Sequence, residues 1–389
     1  MKRVLPTIVF SQFFCTSLWF AGNAILPDLI NNHHLPAGFL AHLTSMVQFG
    51  FITGTFVFAL LTIADRFSPS LVFFLCSILA ALFNLGIVIE TISPRGLLFF
   101  RFATGFFLAG IYPVGMKIAS DYYQKGLGKS LGFLVGALVL GTAFPHLVKG
   151  LSAGFHWKYV AFSTSGLSAL GGLMMLLFVP NGPYRKPSQR LDFNAFLSGF
   201  KNKNFRSASF GYFGHMWELY TFWAFVPVML STYKNYFQIA DLNIPLSSFV
   251  IIASGGLACV LGGFLSERFG VKTIAAIALS LSCLCCFLSP LFLFSSSSSV
   301  LMVFLFFWGL VVIADSPLFS TLVAQNAPVE SRGTSLTMVN CIGFSITIVS
   351  IQVVSWLSQE VSAKYIYMFL AAGPVLGLVA LLKNNDSNG

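Results

Sequence analysis

Twelve long apolar stretches constrain what this chain of 389 residues can fold into. A helix needs about 20 apolar residues to cross the ~30 Å hydrocarbon core of a bilayer. We number the candidate spans one to twelve in chain order: 5–27, 39–63, 70–91, 95–120, 128–148, 158–180, 208–232, 246–265, 271–294, 299–324, 333–357 and 364–382. Only 9% of the residues are charged, whereas a soluble domain carries roughly a quarter. The pattern predicts an all-α membrane protein with twelve transmembrane helices.

The sequence repeats itself at an offset of about 200 residues. The segment ADRF at Ala64–Phe67 returns as SERF at Ser266–Phe269, an offset of 202. The segment GKSL at Gly128–Leu131 returns as GTSL at Gly333–Leu336, an offset of 205. Two homologous membrane halves are typical of secondary transporters, in which one half moves against the other. The repeat therefore predicts two pseudo-symmetric six-helix halves.

A polar segment at 181–207 separates the predicted halves at 1–180 and 208–389. Within it, Phe193, Phe196, Leu197 and Phe200 follow the spacing i, i+3, i+4, i+7 and are followed by basic residues. This pattern predicts a short amphipathic helix on the anionic cytoplasmic leaflet, with a solvated linker as the alternative.

Lysine and arginine give the orientation. With a cytoplasmic N-terminus, fifteen of the 22 lie in inside segments, five lie in outside loops and two lie within a span. Both termini are therefore predicted to be cytoplasmic. This bias explains the net charge of +10 without a nucleic-acid partner.

The loop after span two reads LTIADRFSPS at 61–70, and its repeat reads GFLSERFGVK at 263–272. Both resemble the loop motif G-x-L-A-D-R-x-G-R-K of the major facilitator superfamily. The first copy lacks both glycines and the basic end. Arg101-x-x-x-Gly105 in span four looks like the family's second motif. The stretches at 211–220 and 314–320 look like a bacterial branch loosely grouped with nitrate- and cyanate-type permeases, but spans two and eight lack the arginines of nitrate porters.

The resemblance implies alternating access, with spans one, four, seven and ten lining a central cavity. In the family, the loop carboxylate can lie near a helix N-terminus and an arginine of the other half, which closes the cytoplasmic side. The alternative is a solvated charged turn. The resemblance thus implies a cytoplasmic gate made of Asp65, Arg66, Glu267, Arg268, Glu330 and Arg332.

Five ionisable residues lie well inside spans four, seven and ten: Arg101, Lys117, His215, Glu218 and Asp315. A charge within the bilayer costs at least a few kcal/mol and marks function by default. From these positions we infer that every ionisable residue deep in a span falls on a cavity helix. Lys117 is one turn before Asp121 and is explained by an i,i+4 pair. Arg101 has no local carboxylate, and its guanidinium suits an anionic substrate.

His215 and Glu218 are one turn apart on one helix face. Such a pair can bind and release a proton, with a structural hydrogen bond as the alternative. Asp315, ahead of a proline, is predicted either to carry a proton or to be the counter-ion of Arg101. Aromatic walls with a few polar anchors suit a small organic solute. The predicted substrate-binding residues are Arg101, Tyr112, Trp19, Asn23, Trp217 and Tyr220.

The sequence leads to the hypothesis of a monomeric transporter of the bacterial inner membrane that takes up a small organic anion with protons. Its expected partners are a small-molecule substrate, protons and lipid. No enzyme activity, cofactor or metal site is expected, since no nucleophile–base set or metal-ligand spacing is present. One alternative is a proton-driven exporter of cationic or lipophilic compounds, with Glu218 and Asp315 holding the cation. Another is a transporter-like membrane sensor.

Overall fold

A computed structural model of the protein describes residues 3–36, 38–123, 127–151, 156–185, 191–328 and 332–383. Within these ranges every regular element is a helix, and each predicted span has a helical counterpart. The all-α prediction is confirmed. The observed spans one to twelve are Val4–His33 (interrupted), Phe39–Leu60, Pro69–Val88, Pro94–Tyr122 (interrupted), Leu127–Leu151, Lys158–Phe178, Lys203–Tyr236, Ile244–Phe269, Val271–Phe292, Ser298–Asn326 (interrupted), Arg332–Glu360 and Ile366–Leu382.

Three spans are interrupted near prolines, because proline has no N–H and its ring displaces the carbonyl four residues earlier. Span one breaks at Ile25, two residues before Pro27, and it also breaks after Thr16, where no proline is near. Span four ends one helix at Leu108 and begins the next at Tyr112. Span ten breaks at Asp315. These breaks place irregular backbone at mid-span, where polar side chains gather.

The chain divides into two compact units. Unit 1 contains Met1–Ser188 and Asn243–Gly256, and unit 2 contains Gln189–Leu242 and Leu257–Gly389. The first part of span eight groups with unit 1, because Gly150 lies against the backbone of Leu246 there. In unit 2, the linker contains the helix Phe193–Gly199. Phe196 and Phe200 pack on Phe205 of span seven, with ring centroids 6.4 and 5.2 Å from it.

Spans two and four of unit 1 are in backbone contact. A Cβ placed on Gly50 would be 2.0 Å from the carbonyl oxygen of Phe102 and 2.8 Å from the nitrogen of Phe106. Small residues allow membrane helices to approach this closely, so that van der Waals contacts hold them together. The two spans therefore form a fixed pair beside the broken span one.

We expect Gly50→Ala to destabilise the protein by about 1–3 kcal/mol, because a methyl group there must push two backbones apart. The matched control is Gly166→Ala in span six, where no atom lies within 4 Å of the added Cβ. An alanine in place of a helical glycine stabilises by about 0.5–1 kcal/mol when space is available. Thermal unfolding of the detergent-purified variants should therefore shift in opposite directions. Equal shifts would contradict the close contact.

Candidate functional site

The carboxylate of Glu218 is the centre of a buried polar cluster in unit 2. Three donors converge on its Oε1 atom: Ser282 Oγ at 2.5 Å, Trp308 Nε1 at 2.6 Å and Cys286 Sγ at 3.3 Å. Ser282 and Cys286 lie one turn apart on span nine, and Trp308 lies on span ten. Glu218 itself is 1% exposed on span seven. Hydrogen bonds of this kind to an ionised carboxylate are roughly twice as strong as those between neutral groups.

His215, one turn before Glu218, contacts a different carboxylate. Its Nδ1 atom lies 2.8 Å from Oδ1 of Asp315, and both side chains are 1% exposed. The rings of Tyr212 and Phe319 flank the imidazole, with centroids 6.1 and 6.0 Å away. Its Nε2 atom has no hydrogen-bond partner among the described residues. The break of span ten at Asp315 thus brings a second carboxyl group to the face of span seven that carries Glu218.

In unit 1, the fully buried Arg101 binds the broken backbone of span one. Its Nη2 atom donates to the carbonyl oxygens of Leu18 at 3.0 Å and Trp19 at 2.6 Å, and Nη1 donates to Oδ1 of Asn84 at 3.0 Å. The Nε atom faces Gly22 and has no partner in the described part of the chain. Arg101 therefore holds the first break of span one and keeps its Nε N–H for another acceptor.

The predicted substrate residues of unit 1 lie around the same break. Trp19 is buried against Phe51 of span two, with ring centroids 4.8 Å apart. Asn23 donates from Nδ2 to Oγ1 of Thr44 at 2.7 Å. Tyr112 is half-buried at the start of the second helix of span four.

The two predicted substrate residues of span seven, one turn apart, have different partners. Tyr220 is buried between Trp223 and Phe344, with both ring centroids 5.2 Å away. Trp217 is about 200° around the helix from His215. It packs on Gly373 and donates to the carbonyl of Phe369 at 3.3 Å. Span seven therefore turns Trp217 towards span twelve, away from the face that carries His215.

The charged loop after span two is tied to unit 1. Asp65 lies 3.0 Å from Nζ of Lys117, which is also 3.6 Å from Asp121. Arg66 bonds locally to Oγ1 of Thr62 at 3.2 Å, and Arg185 donates to the carbonyl of Asp65 at 2.7 Å. The i,i+4 contact predicted for Lys117 is present, and Asp65 gives this lysine a second carboxylate.

The other predicted gate residues lie in unit 2 or outside the described ranges. Glu267 and Arg268 are exposed, and Arg268 lies over the ring of Phe269, 5.3 Å from its centroid. Arg332 is exposed at the start of span eleven. Glu330 lies outside the described residues.

Sequence reasoning missed one ionisable residue and most hydrogen-bond partners. The inference that deep ionisable residues fall only on spans four, seven and ten is wrong for His146, which is 2% exposed in span five. In the sequence, this residue was recognisable only as a lone histidine beside a proline in an apolar span. Asn84, Ser282 and Cys286 carry no charge, and the sequence did not predict them as site residues. In the sequence, Ser282 and Cys286 stand out from their apolar helix only as a hydroxyl and a thiol side chain one turn apart.

We expect Trp308→Phe to destabilise the protein, because it removes the indole N–H from Glu218 and keeps an aromatic ring. A hydrogen bond to a charged group contributes about 1.5–3 kcal/mol. A double-mutant cycle with Glu218→Leu, which leaves no acceptor for the indole N–H, separates this contact from the loss of ring volume when measured by thermal unfolding. Trp356→Phe, at a position 60% exposed, is the matched control and should have little effect. Equal costs of Trp308→Phe in both Glu218 backgrounds would contradict the contact.

The family model of the Major Facilitator Superfamily matches residues 8–351. A search of curated protein sequences finds no match. Among solved structures, the human organic anion transporter MFSD10 (TETRAN) is similar at a TM-score of 0.74 and 16% identity, covering 98% of this chain and 99% of that one.

A mutant of the nucleoside transporter NupG is similar at a TM-score of 0.73 and 16% identity, covering 97% and 99% of the two chains. A bacterial homolog of the human lysosomal transporter Spinster, in an inward-facing and unoccupied conformation, is similar at a TM-score of 0.68 and 16% identity. The match covers 98% of this chain and 95% of that one. At these identities the similarity shows the fold. With the family match over most of its length, this multi-pass membrane protein belongs to the Major Facilitator Superfamily of transporters.

Proposed function

We propose that the protein takes up a small organic anion across the bacterial inner membrane by alternating access, coupled to protons. The observation that carries this proposal is the buried cluster of Glu218, His215 and Asp315 in unit 2. Ionisable groups at such depth mark proton relays and substrate pathways in membrane proteins.

The His215–Asp315 pair is suited to carry a proton. With Asp315 ionised and His215 neutral, the pair bears one negative charge inside the bilayer. A proton on the Nε2 atom of His215, which has no partner in the described chain, makes the pair neutral overall. Protonation thus lowers the cost of keeping the pair away from water, which is the charge change that a conformational cycle needs.

Arg101 supplies the positive charge for an anion. Its guanidinium is fully buried, and the carbonyls of Leu18 and Trp19 fix its orientation. A guanidinium has five N–H donors and stays protonated, so its charge is available at any working pH. The hydrogen bonds to these two carbonyl groups leave the guanidinium charged, and they leave its Nε N–H available for another acceptor. The arginine therefore attracts an anionic group while its side chain remains in place.

We expect Asp315→Asn and Glu218→Gln each to abolish uphill uptake driven by an inward proton gradient, because neither amide can be protonated. Exchange of labelled for unlabelled substrate should persist, since it needs no net proton movement. Proteoliposomes with imposed pH gradients measure both activities. Glu360→Gln, at an exposed outer position, is the matched control. Gradient-driven accumulation that survives in both variants would contradict the assignment.

A second candidate is a proton-driven exporter of cationic or lipophilic compounds. Two buried carboxyl groups in unit 2 favour it, since an organic cation and a proton can compete for them. Thermal stabilisation by panels of anions and organic cations at two pH values separates the candidates, because a bound solute stabilises the folded state by mass action.

We expect anions to stabilise the wild type and to lose this effect in Arg101→Ala. Cations that stabilise both proteins, and do so less at low pH, would favour the exporter instead. Increased sensitivity of a deletion strain to dyes and biocides would support the same conclusion. Saturable counterflow of any ligand found in this way excludes a sensor that binds without transport.

A further inference from the structure

Each of four spans of unit 1 that form or contact the single helical turn Ala21–Ala24 of span one carries one buried polar side chain. These residues, which we call the Asn23 cluster, are Asn23, Gln48, Arg101 and His146, and none is more than 5% exposed. Each has at least one polar atom without a hydrogen-bond partner among the described residues. The atoms are Asn23 Oδ1, both amide atoms of Gln48, Arg101 Nε and His146 Nε2.

Contacts of the helical turn Ala21–Ala24 connect it to the spans that carry the other three side chains. Asn23 donates to Thr44, which is one turn before Gln48 on span two. The neighbouring Gly22 leaves room for Arg101, because a Cβ there would be 3.3 Å from the Nε atom of the arginine. The turn also packs against span five, the span of His146.

Buried polar atoms without partners are costly and rare in folded proteins, and each calls for an explanation. Inside the hydrocarbon region the cost persists, since no bulk water is available there. Retaining five such atoms in the spans at one helical turn costs stability. Sites that bind polar ligands lose stability in this way when empty, because the ligand supplies the missing hydrogen-bond partners.

The unpartnered atoms specify the chemistry of the ligand. Arg101 Nε is a charged donor and suits an anionic oxygen. Asn23 Oδ1 and Gln48 Oε1 are acceptors only and need a donor from the ligand. A simple carboxylate has no hydrogen to donate, so it satisfies the arginine and leaves both amide oxygens unpaired. A hydroxyl group on the same solute donates its one hydrogen to one of them, and an amino group has enough hydrogens for both.

We infer that the Asn23 cluster binds the polar end of the transported solute, and that this solute is an organic acid carrying hydroxyl or amino groups. The inference rests on the proposed uptake of an anion and narrows its substrate class. Gln48 discriminates among anions by accepting a hydrogen bond from the substituent, while Arg101 attracts the charge.

The test compares matched acids on the purified full-length protein by thermal shift and titration calorimetry. The probes are propionate, lactate and alanine, and succinate, malate and aspartate. We expect the hydroxylated or aminated acid of at least one series to bind about tenfold more tightly than the bare acid, the ratio that one well-paired buried hydrogen bond gives. In Gln48→Leu this ratio should fall towards one, while the bare acid binds as before.

Two further measurements separate a binding role from a structural one. Without ligand, Gln48→Leu should raise the thermal midpoint, because leucine has a similar volume and no polar atoms to leave unpaired. A glutamine that holds the fold together would give a lower midpoint. Thr53→Val on the same span is the matched control, since the Thr53 hydroxyl already bonds to the carbonyl of Phe49 and contacts no proposed ligand.

The outcomes distinguish this inference from the function on which it rests. Bare and substituted acids that bind equally well, with binding lost in Arg101→Ala, would overturn the substrate class and leave anion uptake standing. A ratio unchanged in Gln48→Leu, or a lower midpoint for that variant, would overturn the role of Gln48. Binding of organic cations with no acid bound would overturn both.

Discussion

A break in a membrane-spanning helix leaves carbonyl groups that no water in the bilayer core can satisfy, so the protein must supply the donors itself. In unit 1, Arg101 donates to the carbonyls of Leu18 and Trp19 at the first break of span one. In unit 2, the thiol of Cys259 donates to the carbonyl of Ile313 at 3.6 Å, just before the break of span ten. The polar side chains near mid-span follow from these breaks, since irregular backbone is stable there only where such donors meet it.

In each unit, a buried side chain of the fourth span donates a hydrogen bond to the first span, and the chemistry of the contact differs between the units. Arg101 of the fourth span donates to the first span of its unit, and Trp308 donates to Glu218 in the equivalent helix pair. Unit 1 therefore holds a permanent cation against backbone, whereas unit 2 holds a carboxylate against a neutral donor.

The twelve spans were predictable because a run of about 20 apolar residues permits almost no other structure. The breaks were partly predictable from prolines, as at Asp315. The buried site was predictable only where residues carry charge. Sequence separation gave the faces of His215 and Glu218 but not their neighbours, so the pairing of His215 with Asp315 needed the fold. Neutral donors such as Ser282 resemble the many serines that bond to their own helix, and no local pattern separates them.

The two units meet the cost of buried polarity differently. Unit 2 buries the carboxyl group of Asp315 against His215, and in the proposed function a proton bound by this pair removes its net charge. Unit 1 holds Arg101, whose charge is permanent, and amide atoms of Gln48 that titrate at no working pH. In the proposed function, the solute relieves this penalty by supplying hydrogen bonds to them. In the proposed function, a proton changes the energy of unit 2 and a solute changes that of unit 1, and coupling requires both changes within one cycle.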